Sequence, residues 1–261
     1  MRANTAMFNP EIKGVASLPN GHADRDAVAR QIREGREHDK QKKWKDIRNG
    51  AMYSYTLRGV SGTFEQVRSF GQSKVVLDIG TGSSKGIQEI AQSPFAEGLS
   101  FKATSLTQHE EHGVHLPKKD IILTSAEVLR GVRPASIGCI LAVRSIGYTE
   151  RPTQLIARLD QVLAEGGFIK AVFPSLSTEL KERTGKEFAD AFIALGYDVA
   201  YTPGKVFKIF VTGQLGGDEV LLARKPYKDP AADPHPVSAK EILALDQTHS
   251  DSEVAFLKKV D

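Results

Sequence analysis

Cysteine is almost missing from this chain: Cys139 is the only one in 261 residues. An intrachain disulfide and a zinc site built from cysteines are therefore excluded. Long apolar runs are missing as well. Nowhere do the about 18 consecutive apolar residues of a membrane span occur, and the first residues, MRANTAMFNPEIKGVASLPNG, lack the continuous apolar core of a secretion signal. Charge of one sign is not in excess either, since the net charge of +3 is too small to mark a nucleic-acid binder by itself. No internal repeat or low-complexity tract is visible. These absences make a cytoplasmic, or at least reducing, setting without a membrane the expectation. What is present is ordinary: 40% hydrophobic and 26% charged residues suit a folded globular chain, long enough for one large α/β domain with extensions.

The stretch that organises the rest is VVLDIGTGSSKG, residues 75–86. Val75, Val76, Leu77 and Ile79 suit a buried strand around one carboxylate, Asp78, and then run into Gly80, Thr81, Gly82, Ser83 and Ser84. Gly80 and Gly82 have no Cβ, so the backbone can turn sharply and a ligand can approach it closely. Ser83 or Ser84 can cap a following helix, whose free N–H groups favour polar or anionic atoms. Asp78, at the end of the strand, can orient the turn or accept from a ligand cation. Two other glycine loops do not fit. A P-loop needs Gly then Lys at positions 85 and 86, where this chain has Lys85 and Gly86. The dinucleotide fingerprint needs its third glycine at 85, one residue earlier than Gly86.

The acid-x-Gly-x-Gly order of Asp78, Gly80 and Gly82 resembles the first motif of the class I S-adenosylmethionine-dependent methyltransferases. LDQVLAEGGFIKAVFP, residues 159–174, resembles that family's helix, Gly-Gly turn and fifth strand. The resemblance covers about residues 74–225 and implies a doubly wound, mainly parallel seven-stranded α/β sheet with an antiparallel edge. It implies S-adenosylmethionine as cofactor, lying over Asp78, Gly80, Thr81 and Gly82, with the ribose near the end of a second strand and the adenine near the end of a third. The family commonly has acids at those two corners; this chain has Ser105, with Thr107 beyond it, and then Ser125 followed by Ala126, which fits. Gln108 or Glu110 could supply the ribose contact. The family's fourth motif falls after the strand at 137–143, where Arg144 could hold an anionic substrate group and Tyr148 could shape the acceptor pocket or move a proton. An ion pair and a packed aromatic are the alternatives for these two residues.

In chain order, residues 1–21 form an irregular arm and 22–48 a basic helix, which a solvated face explains better than nucleic acid. Tyr53, Tyr55 and Phe64 lie in a short connector; the resemblance implies that a segment placed there can fold over the cofactor as a lid, with Tyr53 or Tyr55 covering the ligand, and a Tyr packed at a domain edge is the alternative. A helix is expected near 86–96, strands at 99–106, 120–124, 137–143 and 168–173, a helix from Pro152, another at 177–195 feeding a strand at 197–202, and two further strand candidates at 206–212 and 219–224, either of which can be the last strand of the antiparallel edge. His109, His112 and His115 suggest a metal at first sight, but the H-E-x-x-H spacing is absent and Gly113 and Pro117 interrupt a helix, so no metal site is expected. Pro226, Pro230, Pro234 and Pro236 mark a linker before a helix capped by Ser238. The resulting division is 1–70 for arm, basic helix and lid, 71–226 for the methyltransferase-like domain, and 227–261 for linker and tail. The tail could dock on its own domain, on a second copy or on a partner, and a homodimer through it or through the N-terminal helix is open. The function implied is methyl transfer to a small molecule or protein side chain. The alternative is a catalytically inactive binding protein of the same fold. An RNA methyltransferase ranks third, because no aromatic–basic RNA module accompanies the arm's charges.

Overall fold

In the computed structural model, the residues described are 49–82, 84–105, 116–149, 151–173, 184–204, 206–209, 213–216 and 218–259. The expected N-terminal arm and basic helix, the histidine-rich loop with Gln108 and Glu110, Thr107, and the start of the helix expected at 177–195 lie outside them. Side chains of 148, 206–209 and 213–216 are outside the description too.

The strands are β1 (Val75–Ile79), β2 (Ser100–Ser105), β3 (Ile121–Leu123), β4 (Ile137–Val143), β5 (Leu163–Phe173), β6 (Asp198–Thr202), β7 (Val206–Ile209), β8 (Gly213–Gly216) and β9 (Glu219–Arg224). Seven of them form one sheet in the order β3-β2-β1-β4-β5-β9-β6, and β7 and β8 make a separate two-stranded ribbon. Pairings from β3 through β5 are parallel; β9 runs antiparallel to both β5 and β6. This is the doubly wound sheet with an antiparallel edge that the motif order implies.

Alternation along the central strands explains the layers. Val76, Cys139, Leu141, Val143, Phe168 and Val172 face one side, while Leu77, Ile79, Ile140, Ala142, Ile169 and Ala171 face the other. Every residue of β4 is buried, as a strand covered on both faces must be. The first face is roofed by α1 (Gly50–Leu57), α2 (Ser61–Phe70), α3 (Lys85–Ala91) and the C-terminal α6 (Ala239–Leu257). The second is covered by α4 (Pro152–Val162) and α5 (Gly185–Ala194). The buried Cys139 thiol is pushed well above its usual titration range by desolvation, and a neutral thiol is a poor nucleophile.

Three local expectations change. The segment holding Tyr53, Tyr55 and Phe64 is two helices, because Tyr53, Leu57, Phe64 and Val67 all bury on the sheet. The Gly166–Gly167 turn lies inside β5 rather than before it: Ile137 pairs with Leu163 and Cys139 with Phe168, so the ladder continues across an irregularity. Ser84 occupies the N-cap position of α3 with φ +65° and makes no cap bond; its Oγ instead accepts from Leu116 N at 3.2 Å.

The C-terminal helix docks on its own domain through buried charge. Asp246 meets Lys170 of β5 at 2.5 Å, both fully buried. Its carboxylate also accepts from Thr63 N at 3.0 Å and Thr63 Oγ1 at 2.5 Å, and Lys170 donates to Gly59 O at 2.6 Å. One turn-pair further on, Glu253 accepts from Val60 N (3.0 Å), Ser61 N (2.9 Å) and Ser54 Oγ (2.6 Å). A carboxylate from α6 thus satisfies the open N–H groups at the start of α2. Ser238 and Glu241 form the capping box that begins α6.

Candidate functional site

The chain runs β1-β2-β3 to one side of the sheet and β4-β5 to the other, so its direction reverses between β1 and β4. Open α/β sheets bind ligands in the crevice outside the carboxyl ends of the strands at such a reversal. The glycine turn leaves β1 at this place. Gly80 (φ +70°) and Gly82 (φ +62°) take conformations that other residues resist. A Cβ on Gly80 would come within 2.7 Å of Ser145 Cβ, whereas among the described residues one on Gly82 would meet nothing within 4 Å. The first glycine is needed for packing between β1 and the turn after β4; the second is not crowded by any described residue. Thr104 of β2 fixes the turn, with its Oγ1 accepting from Gly80 N at 3.2 Å and its carbonyl accepting from Thr81 N at 3.1 Å.

Asp78 is buried to 1% exposure. The Tyr53 hydroxyl, on α1, donates to its Oδ1. Glu89 of α3 accepts from Gly50 N at the start of the same helix. Helix α1 therefore lies against both ends of the glycine motif, and its place there is set by the α6 carboxylates that hold its far end.

Hydroxyls without partners gather at the same edge. Among the described residues, Thr81 Oγ1 after β1, Ser125 Oγ after β3 and Ser145 Oγ after β4 are buried with no hydrogen-bond partner in the protein. Thr81 and Ser125 are 7% and 5% exposed. Buried polar groups are almost always satisfied, so three orphans at neighbouring strand ends mark where an external polar ligand would complete them. Ser105 ends β2 and is buried; its carbonyl accepts from Thr124 N at 3.1 Å, tying the β2 and β3 corners together. The Ser125 carbonyl accepts from Val128 and Leu129 N, and Ala126, half-buried, packs on the second-face core. Glu127 is also buried, and its Oε1 accepts from Thr149 Oγ1 at 2.5 Å, linking the β3 corner to the loop after β4.

The crevice thus brings Asp78, Gly80, Thr81, Gly82, Ser105, Ser125 and Ala126 along the carboxyl ends of β1 to β3. Arg144 stands apart, beyond β4 on the β5 side, with φ +51° and both Asp218 oxygens within 2.9 Å. This is the ion pair that the sequence admits as its alternative role. Tyr148 lies in the short turn Ile146–Tyr148. Thr104, Ser145 and Glu127 join the site only once the sheet is assembled: Thr104 through its register opposite Ile79, and Ser145 and Glu127 through the meeting of the strand ends.

Among the described residues, no group of three or more His, Cys, Asp or Glu side chains could hold a metal, and no helix is long and apolar enough to cross a membrane.

No protein-family model matches the sequence, and comparison with curated proteins returns no match. The fold is similar to those of solved methyltransferases. A Burkholderia thailandensis 1,6-didemethyltoxoflavin-N1-methyltransferase, solved with 1,6-didemethyltoxoflavin and S-adenosylhomocysteine, is 18% identical over 77% of this chain and 89% of that one, with a TM-score of 0.48. A SAM-dependent methyltransferase from Archaeoglobus fulgidus is 15% identical over 67% of this chain and 98% of its own, TM-score 0.46. Haemonchus contortus phosphoethanolamine N-methyltransferase 2, in complex with S-adenosyl-L-methionine, is 13% identical over 74% of this chain and 60% of its own, TM-score 0.48. The fold assignment stands on the strand order and pairing of the chain itself.

Proposed function

We propose that the chain transfers a methyl group from S-adenosylmethionine to a small-molecule or protein acceptor. The observation that carries this reading is the set of orphan hydroxyls, Thr81, Ser125 and Ser145, around a glycine turn that no described residue crowds at Gly82. The residues present fit a nucleoside with an aminoacyl side chain. Asp78 would accept from an ammonium group, Gly80 to Gly82 would let it approach the backbone, Ser105 would bond a ribose hydroxyl, and Ser125 and Ala126 would border the base. Bound there, the sulfonium supplies an electrophilic methyl group, which an acceptor N, O or C attacks in line.

The protein's share is alignment. Tyr53 holds the Asp78 carboxylate in orientation through its hydrogen bond, α1 covers the turn and limits water, and Arg144, with Tyr148 in the turn that follows, would serve the acceptor side. Such chemistry needs positioning more than a strong protein nucleophile, which suits a crevice that has none among the described residues. The hydroxyls at Ser105 and Ser125 favour a second reading, a binding protein of this fold without catalysis, because they accept more weakly than carboxylates.

Calorimetric titration with S-adenosylmethionine and S-adenosylhomocysteine tests both readings. Heat and a raised melting temperature are expected, with methyl transfer to an acceptor library separating enzyme from binder. Silence at millimolar ligand, by heat and by melting, overturns both.

A further inference from the structure

Beyond the cofactor crevice, three charged residues from three distant parts of the chain meet at the carboxyl edge of the sheet. Arg144 follows β4, and its Nη2 lies 2.9 and 2.7 Å from the two oxygens of Asp218. Arg58 is the C-cap of α1, and its Nη2 donates to the Asp218 carbonyl at 3.2 Å. Asp218 directly precedes β9, whose Glu219 pairs with Phe173 at the carboxyl end of β5. Among the described residues, Arg58 has no carboxylate partner: it bonds only the Asp218 main chain, and Arg144 alone takes the carboxylate, so two guanidiniums converge on one acidic residue.

Several features distinguish this group from an ordinary surface ion pair. Arg58 takes its φ of +57° as the ordinary left-handed end of α1, whereas Arg144 holds φ +51° outside any helix cap, where glycine is the comfortable residue. Strain of this kind at non-glycine positions clusters at functional sites. The Arg144 side chain is 47% exposed while Asp218 is 17% exposed, so the guanidinium is open to solvent and its partner is tucked beneath it. An exposed pair contributes little to stability. Its position is informative: Ser145, the next residue, abuts Gly80, and Arg58 closes the helix whose Tyr53 reaches Asp78. The group borders the crevice on the β4–β5 side, away from Ser105 and Ser125.

We infer that Arg58, Arg144 and Asp218 form an oxyanion subsite that selects a small acceptor carrying a carboxylate or phosphate. This rests on the methyl-transfer reading above for its place in the reaction. Asp218 is a placeholder: it keeps the Arg144 fork extended, and an incoming oxyanion displaces it and gains both guanidiniums. Planar two-point recognition of an oxyanion is what an arginine fork does best. No covalent step is involved, and the anion anchors the acceptor beside the methyl donor.

The test uses the full chain and two probes, inorganic phosphate and acetate, titrated at constant ionic strength. Asp218→Asn removes the placeholder and is expected to tighten phosphate about tenfold, while Arg144→Gln and Arg58→Gln each weaken it by about the same factor. Arg144→Lys keeps the charge without the fork, and an intermediate affinity is expected. Preference for acetate over phosphate assigns the carboxylate form of the acceptor, and the reverse assigns the phosphate form. Each variant is also titrated with S-adenosylhomocysteine. Phosphate affinity that is indifferent to all four substitutions, with homocysteine-nucleoside binding intact, overturns the subsite and leaves methyl transfer standing. Charge-dependent phosphate binding without nucleoside binding does the opposite.

Discussion

Two polar regions of this molecule, both buried, solve opposite problems. Under the first face of the sheet, Lys170, Asp246 and Glu253 are 0%, 0% and 4% exposed, and the two carboxylates are saturated with donors from β5, the α1–α2 turn and α2. At the carboxyl edge, Thr81, Ser125 and Ser145 present buried hydroxyls with no partner among the described residues. Water is excluded from both regions, so the desolvation penalty applies to both. In the first it is offset within the protein, and the result is a fixed joint between the C-terminal helix and the roof of the sheet. In the second it is left open, which a chain retains where a ligand offsets it. Burial of polar groups therefore marks structure in one place and a candidate site in the other, and partner satisfaction tells them apart.

The joint gives the largest expected effect. Asp246→Ala leaves the Lys170 ammonium buried without its counter-charge and should cost about 3–5 kcal/mol in urea unfolding. The double change Lys170→Met with Asp246→Leu should recover most of that loss. A single variant as stable as the parent would remove the distinction between the two regions.

Next comes the carboxylate of the glycine turn. Asp78→Ala should reduce S-adenosylhomocysteine affinity by about 1.5–3 kcal/mol, the scale of a hydrogen bond to a charged group, as read by calorimetry. Unchanged affinity would mean that the ligand lies elsewhere along the edge.

The orphan hydroxyls sharpen the comparison from the other side. Thr81→Ala and Ser125→Ala break no internal bond, so unfolding stability should stay within about 0.5 kcal/mol, while nucleoside affinity falls by about 0.5–1.5 kcal/mol. Stability losses as large as those at Asp246 would show that these hydroxyls belong to the framework.

The smallest effect concerns His235, whose ring packs against Phe70, Phe168 and Tyr227. Burial first, and then Arg224, hold its titration below the usual 6.5, against the opposing pull of Asp233. A depressed folded value means that the unfolded chain binds the proton more readily, so stability is complete above 6.5 and declines as pH falls below it. Thermal melts from pH 8 to pH 5 should show this decline flattened in His235→Leu; parallel curves would assign the acid sensitivity to other groups.

Much of the fold was legible because strands buried on both faces write themselves as apolar runs. The β4 residues IGCILAV and the β1 residues VVLDI coincide with the expected strands. Ser238 and Pro152 start helices where their chemistry requires. Residues 49–70 were harder to read, since α1 and α2 form by packing on a sheet that follows them in the chain. The β5 boundary shifted because ladder pairing, a long-range property, continued through the Gly166–Gly167 turn.

By itself the sequence determined the glycine turn, the periodicities and hence the layered architecture, because backbone conformational preference and the hydrophobic pattern are local properties. Only the tertiary structure decided which polar residues are satisfied and which are left facing the crevice. Asp246 and Ser125 are both polar residues in unremarkable sequence, yet the side chain of one meets Lys170 from 76 positions away and the hydroxyl of the other meets no partner among the described residues. That difference depends on which distant donors folding delivers, and it is what separates the joint from the site.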